Sequence, residues 1–136
     1  MAVNEFNKSI IAEFRSHGGK VGGPFAGSTL LLLTTTGARS GNPHTNPVMY
    51  FVDQDRYLIV ASHAGAPTNP PWYYNLIAHP VVEVEMGTER FKARAEVVGE
   101  PERSTLYANI AAAKPAFAEY QRKTTRPIPV IALYRQ

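Results

Sequence analysis

Val3, Phe6, Ile10, Ile11 and Phe14 recur every three or four residues, with polar residues between them. That period places them on one face of an amphipathic helix over about residues 3–16, ended by Gly18 and Gly19. The stretch GGKVGGPFAG reads as a connector. STLLLLTTT is rich in branched residues and reads as a buried strand, and GARSGNP as a turn. HTNPVMYFVDQDRYLIVAS reads as two strands joined at Asp53-Gln54-Asp55. A loop then leads to a short helix from about Pro70 to Ala78, because proline is tolerated in a first helical turn and His79-Pro80 stops it. VVEVEM and ERFKARAEVVGE alternate apolar and charged residues around Gly87-Thr88, a hairpin with one wet face. Residues 101–124 read as helix with a break near Pro115, and IPVIALYRQ as a last strand. The pattern gives about six strands and three or four helices, the strands clustered in hairpins. It predicts an α+β fold, a closed or partly closed antiparallel barrel rather than a doubly wound sheet. Residues 1–20 form the helix and linker, and residues 21–136 the barrel domain.

Composition narrows the function. The 136 residues are 44% hydrophobic and 18% charged, an ordinary globular balance that points to one domain. There is no cysteine, which excludes disulfides, thiolate chemistry and cysteine-zinc sites. A net charge of +3 suits an anionic small molecule and lacks the dense basic stripe of a nucleic-acid binder. MAVNEFNKSI has no apolar signal region, and Leu30–Leu33 is too short to cross a bilayer. A cytoplasmic location is expected. The N-terminal stripe allows either docking on the barrel or weak contact with the inner face of a membrane. The oligomeric state is left open.

Several chemistries find no motif. GGPFAGST has P-loop-like glycines, but Ser28 stands where the lysine belongs and a strand follows. There is no G-x-S-x-G, and His17, His44, His63 and His79 are scattered without ligand spacing, so no metal is expected.

Three segments carry candidate chemistry. In TTTGARSGNPHTNPVMYF a glycine-flanked turn bears Arg39 and Ser40, which with backbone N–H groups suit a phosphate or carboxylate, or form only a solvated turn. In ASHAGAPTNPPWYYNL small residues leave a strand where a ligand or another backbone approaches closely. A helix then starts at a cluster of aromatics. Trp72 and Tyr73 are adjacent, so they cannot share a helical face. In KPAFAEYQ, Phe117 and Tyr120 are three apart on one face. Core packing is the alternative for the aromatics of both segments.

Together, LLTTTGARSGNPHTNPVMYF, YLIVASHAGAPTNPPWYYNLIAHPVVEVE and YQRKTTRPIPVIAL resemble the deazaflavin-dependent nitroreductase and quinone-reductase family of actinobacteria, whose members use coenzyme F420. The resemblance covers most of residues 30–134. It implies a split β-barrel and an F420H2-dependent reductase. Such an enzyme passes a hydride from the reduced deazaflavin to a flat electrophilic acceptor such as a quinone, nitroaromatic or enone. The alternatives are an FMN-binding split-barrel oxidoreductase or a non-catalytic F420 carrier. By the same resemblance the ring lies against Asn46, Pro47, Val48 and Met49, near Ala61, Ser62 and Trp72. The anionic tail follows Arg39, Ser40, His44, His63 and the turn at Gly65 and Ala66. Asn69, Pro71, Tyr73 and Asn75 shape the loop and helix start. The acceptor sits under Met49, Trp72, Phe117 and Tyr120, with Ser62 and Tyr120 as the candidate catalytic groups. Ala38, His44 and His63 stand where basic residues are commoner in the family, and Lys114 and Phe117 where tyrosines are.

Overall fold

The computed structural model describes residues 5–20 and 29–136, with side chains from Asn7 onward. The expectations for Val3, the Phe6 side chain and the connector over residues 21–28 lie outside the described residues. Helix α1 spans Glu5–Ser16, followed by strands β1 (Leu30–Thr36), β2 (Pro43–Met49), β3 (Phe51–Asp53) and β4 (Arg56–Val60). Helix α2 (Pro71–Ala78), strands β5 (Val81–Met86) and β6 (Glu89–Val97), helices α3 (Glu102–Ala113) and α4 (Pro115–Arg122), and strand β7 (Val130–Arg135) complete the chain.

Among the described residues there are seven strands where about six are expected. The strand predicted to run into the Asp53 turn is broken at Tyr50, and the two pieces do different work. β2 pairs with β1 (Leu31 opposite Val48), whereas β3 pairs with β4 (Phe51 opposite Leu58). All pairings are antiparallel, in the order β2-β1-β5-β6-β7-β4-β3. β2 and β3 are therefore the two edges of one sheet, yet a single residue joins them. The sheet has to curl until its edges meet, which makes a split β-barrel.

Burial follows the residue pattern strand by strand. Inside the barrel lie Leu31, Leu33, Ile59, Val82, Val84, Phe91, Ala93, Ile131 and Leu133, with Trp72 and Leu76 of α2 packed among them. β5 and β6 alternate, so their outward Glu83, Lys92, Arg94 and Glu96 face water. β1, β4 and β7 are apolar in unbroken runs because both their faces are covered. Leu30 and Leu32 meet Ile10 and Phe14 of α1. Leu58, Val60, Val130 and Ala132 meet Leu106, Tyr107, Ile110 and Phe117 of α3 and α4. The described part of the α1 stripe, Ile10, Ile11 and Phe14, is thus spent on the barrel, and nothing here supports the membrane-contact alternative. Among the described residues no helix is long and apolar enough to cross a membrane.

Two further contacts seat α1. Arg15 donates from Nε and Nη2 to the two carboxylate oxygens of Glu85, at 3.1 and 2.9 Å. Gly19, at φ 93°, follows the helix end, and a Cβ there would stand 2.7 Å from Gly87 Cα in the β5–β6 turn.

Candidate functional site

A cleft of about 1030 Å³ opens where β2, the end of β4, the turn after β1, the start of α2 and helix α4 converge. Its two ends differ in chemistry. Arg39, Ser40, Asn42, His44 and His63 line it with polar groups, whereas Met49, Val60, Trp72, Phe117 and Tyr120 line it with apolar and aromatic surface.

The turn after β1 builds the polar end. Gly37 N donates to Asn42 O at 2.8 Å and Gly41 N to Gly37 O at 3.0 Å. Asn42 N donates to the Ser40 hydroxyl at 3.1 Å. The turn is so tight that a Cβ on Gly37 would stand 2.5 Å from Ser40 Oγ and 2.9 Å from His44 Nε2. Asn75 of α2 ties this turn to the helix: its Oδ1 accepts from Ala38 N at 3.0 Å, and its Nδ2 donates to the buried Thr35 hydroxyl at 3.1 Å. Arg39 is exposed and makes no hydrogen bond or ion pair with any described residue. An unpaired guanidinium above a rigid turn is a ready anion contact.

The loop after β4 forms one wall. His63, Ala64 and Gly65 take φ values of 48°, 54° and 81°, three left-handed residues in succession, of which two carry a Cβ. His63 Nδ1 lies 3.2 Å from the Thr68 carbonyl, an acceptor that places a proton on that nitrogen. Gly65 answers its question of what approaches it: a Cβ there would be 2.9 Å from Tyr120 O, so α4, not a ligand, takes the space.

The aromatic end is set by the helices. Tyr107 donates its hydroxyl to Phe117 O at 2.6 Å, and Arg103 spans from Ile128 O to Gln121 Oε1, fastening α3 to α4 and to the segment that leads into β7. Burial pushes the Tyr107 phenol up, so it remains a donor at neutral pH. The Phe117 ring meets Tyr120 edge-on at 5.5 Å and Phe51 at 5.7 Å. Trp72 is only 7% exposed, and it belongs at once to the inner core and to the cleft wall.

Of the residues expected at the site, Arg39, Ser40, His44, Asn46, Pro47, Val48, Met49, Ser62, His63, Pro71, Trp72, Asn75, Phe117 and Tyr120 all line this cleft. Ala61, Gly65, Ala66, Asn69 and Tyr73 do not. Ala61 is fully buried, and Tyr73 packs on the barrel interior. The aromatic of α2 that joins Trp72 in the wall is Tyr74, which is 51% exposed. Helical geometry separates adjacent side chains by about 100°, so the sequence alone left open which of three neighbours would face the cleft. Asn7 of α1, Ala38, Val60 and Ala64 also line it. Arg126 stands behind the cleft with no sequence pattern to mark it. It donates to Ala66 O, Asn69 Oδ1 and Ser62 O at 3.0, 2.6 and 3.0 Å, and its only signal was an arginine in the quoted tail segment. Among the described residues no cluster of three or more histidines, cysteines or carboxylates occurs.

Residues 7–135 match the family model described as F420H(2)-dependent quinone reductase. An F420H(2)-dependent quinone reductase of Mycobacterium tuberculosis (strain ATCC 25618 / H37Rv) is 40% identical over 129 residues, 92% of this chain and 87% of that one. A solved structure of an F420-H2 dependent reductase (FDR-A) aligns with a TM-score of 0.70 at 38% identity, over 77% of this chain and 93% of the other. Another, described as a domain-swapped dimer, aligns with a TM-score of 0.72 at 34% identity, over 93% and 92% of the two chains.

Proposed function

The chain belongs to the F420H(2)-dependent quinone reductase family, an oxidoreductase family, and from that premise we propose that the cleft holds reduced F420 beside a quinone. The observation that carries this reading is the division of one cleft into an unpaired cationic end at Arg39 and an aromatic end at Trp72, Phe117 and Tyr120. An anionic cofactor tail suits the first and a flat ring system the second. The volume matches the upper limit of sites that hold a drug-sized molecule. The FMN alternative gains no support from the family or its relatives.

F420, when bound, supplies a hydride to the acceptor; the residues of the chain do the rest. Arg39 and the Ser40 turn hold the anionic tail, with His44 and His63 beside it. Pro47, Val48 and Met49 of β2 give the ring a flat backing. Trp72, Phe117 and Tyr120 shape the acceptor position and keep water from it, which favours transfer between closely held partners. A quinone that accepts a hydride also needs one proton to become a hydroquinone. Tyr120 carries a hydroxyl on the cleft wall, half-buried and open to refilling from solvent, and serves as that donor. The Ser62 hydroxyl, which bonds to no described residue, orients the acceptor.

The test is a fluorescence titration of the purified protein with F420, followed by oxidation of reduced F420 with a quinone and with a nitroaromatic. Binding with quinone-dependent turnover is expected. Tight binding with no turnover by any acceptor would instead make the protein a carrier.

A further inference from the structure

Arg126 lies between α4 and β7 and is outside the cleft wall, yet one half-buried guanidinium spans the whole 61–69 loop. Nε donates to Ala66 O at 3.0 Å and Nη1 to Asn69 Oδ1 at 2.6 Å. Nη2 faces the carbonyls of Ala61, Ser62 and Thr68 at 3.3, 3.0 and 3.2 Å. Five acceptors converge on one cation. Without it Ser62 O and Thr68 O would keep Gly65 N and His63 Nδ1, but the Asn69 amide oxygen and the carbonyls of Ala61 and Ala66 would lose a charged donor in a part-buried place.

The loop needs an outside hold. His63 and Ala64 both carry a Cβ in left-handed backbone, which L-residues disfavour. The loop's own ties are short-range: Gly65 N to Ser62 O, Ala66 N to His63 O, and the contact of His63 Nδ1 with Thr68 O. These are the same residues, Ser62, His63 and Ala64, that line the cleft.

We propose that Arg126 is a positioning residue for this site: from behind the loop it locks Ser62, His63 and Ala64 in their cleft-lining conformation. It also draws the carbonyls of Ala61, Ser62, Ala66 and Thr68 toward itself, so that they do not face an anionic ligand. The proposal rests on the F420 reading for the identity of that ligand. Lysine cannot replace the arginine, because an ammonium offers three donors at a point and not a planar fork of five.

The test compares wild type with Arg126→Lys by amide hydrogen exchange and by F420 fluorescence titration. Exchange of the 62–69 amides is expected to speed up about tenfold while β5 and β6 stay unchanged, and the Kd for F420 to rise about tenfold or more. Millimolar guanidinium, but not ammonium, is expected to restore part of the affinity of Arg126→Ala. If Arg126→Lys does not fold, Arg126→Gln carries the same two readouts. Loop exchange or Kd within about twofold of wild type overturns the proposal. Failure of the wild-type chain to bind F420 sinks the functional reading and the cofactor half of this one, while the exchange rates still decide whether Arg126 sets the loop.

Discussion

At the residue scale the site separates groups that only line the cleft from groups that also hold the fold. Arg39 is of the first kind, exposed on a turn that closes on itself without it. Arg39→Ala is expected to lower F420 affinity by about 1.5–3 kcal/mol, roughly a 10- to 150-fold rise in Kd, with little change in stability. An unchanged titration would remove Arg39 from the tail site. Trp72 is of the second kind. Because it fills both the barrel and the cleft wall, Trp72→Ala is expected to cost about 3–5 kcal/mol in denaturant unfolding and also to raise the quinone KM. Tyr74→Ala, at a half-exposed position, is expected to leave stability within about 0.5 kcal/mol while still changing that KM. If both variants lost only stability, neither ring would touch the acceptor. Tyr120→Phe removes one hydroxyl from the wall; an unaltered kcat with quinone would take the proton-donor role away from it.

At the element scale, apolar burial and the bidentate Arg15–Glu85 ion pair help to dock α1. Arg15 holds the Glu85 carboxyl below the usual carboxylate range, first through its hydrogen bond and against the opposing effect of partial burial. A depressed native pKa means that the contribution is present above the unfolded value, near 4.3, and is lost as pH falls through the lower native value. Arg15 is 47% exposed, so screening limits the pair to about 1 kcal/mol or less. Wild type is therefore expected to exceed Glu85→Gln in Tm at pH 7 and to lose that margin in acid, below about pH 4. A gap of constant size across the titration would show that the pair does not couple to docking. The glycine behind the helix matters sterically: Gly19→Ala would drive a Cβ into the backbone of Gly87. Helix α2 shows the same economy of contacts, since Asn75 pins the Arg39 turn while its neighbours on the helix surface, Trp72 and Leu76, enter the core.

At the scale of the whole molecule, the decisive feature is that the two edge strands are consecutive in the chain. Tyr50 alone separates β2 from β3, so closure of the sheet and formation of the cleft beside β2 are one event. The layers of the barrel then share the load unevenly. Leu33→Ala, at a position with no exposure, is expected to cost about 2–5 kcal/mol in urea unfolding. Lys92→Ala, on the wet face of β6, is expected to fall within about 0.5 kcal/mol of wild type. Equal effects at the two would contradict the assignment of inner and outer faces.

What the chain carried on its face was local. Alternation in VVEVEM and ERFKARAEV marked strands with one wet side, and the unbroken LLLL marked a strand covered on both, because side-chain period and backbone sterics act within a few residues. Glycine and proline positions located the turn at Gly87 and the start of α2 for the same reason. Motif resemblance brought most of the cleft residues together, since those motifs sit on the turns that converge there. Other features depended on partners far along the chain. The break at Tyr50 becomes a barrel seam only when β3 finds β4 and β2 finds β1. Gly65 serves α4, not a ligand, because Tyr120 arrives beside it. Tyr74, and not Tyr73, reaches the cleft because the barrel takes the other face of α2. Arg126 lies 60 positions from Ala66, whose carbonyl it binds. No local pattern encodes such a contact, because its free energy exists only once the sheet has closed and brought the two segments within hydrogen-bond range.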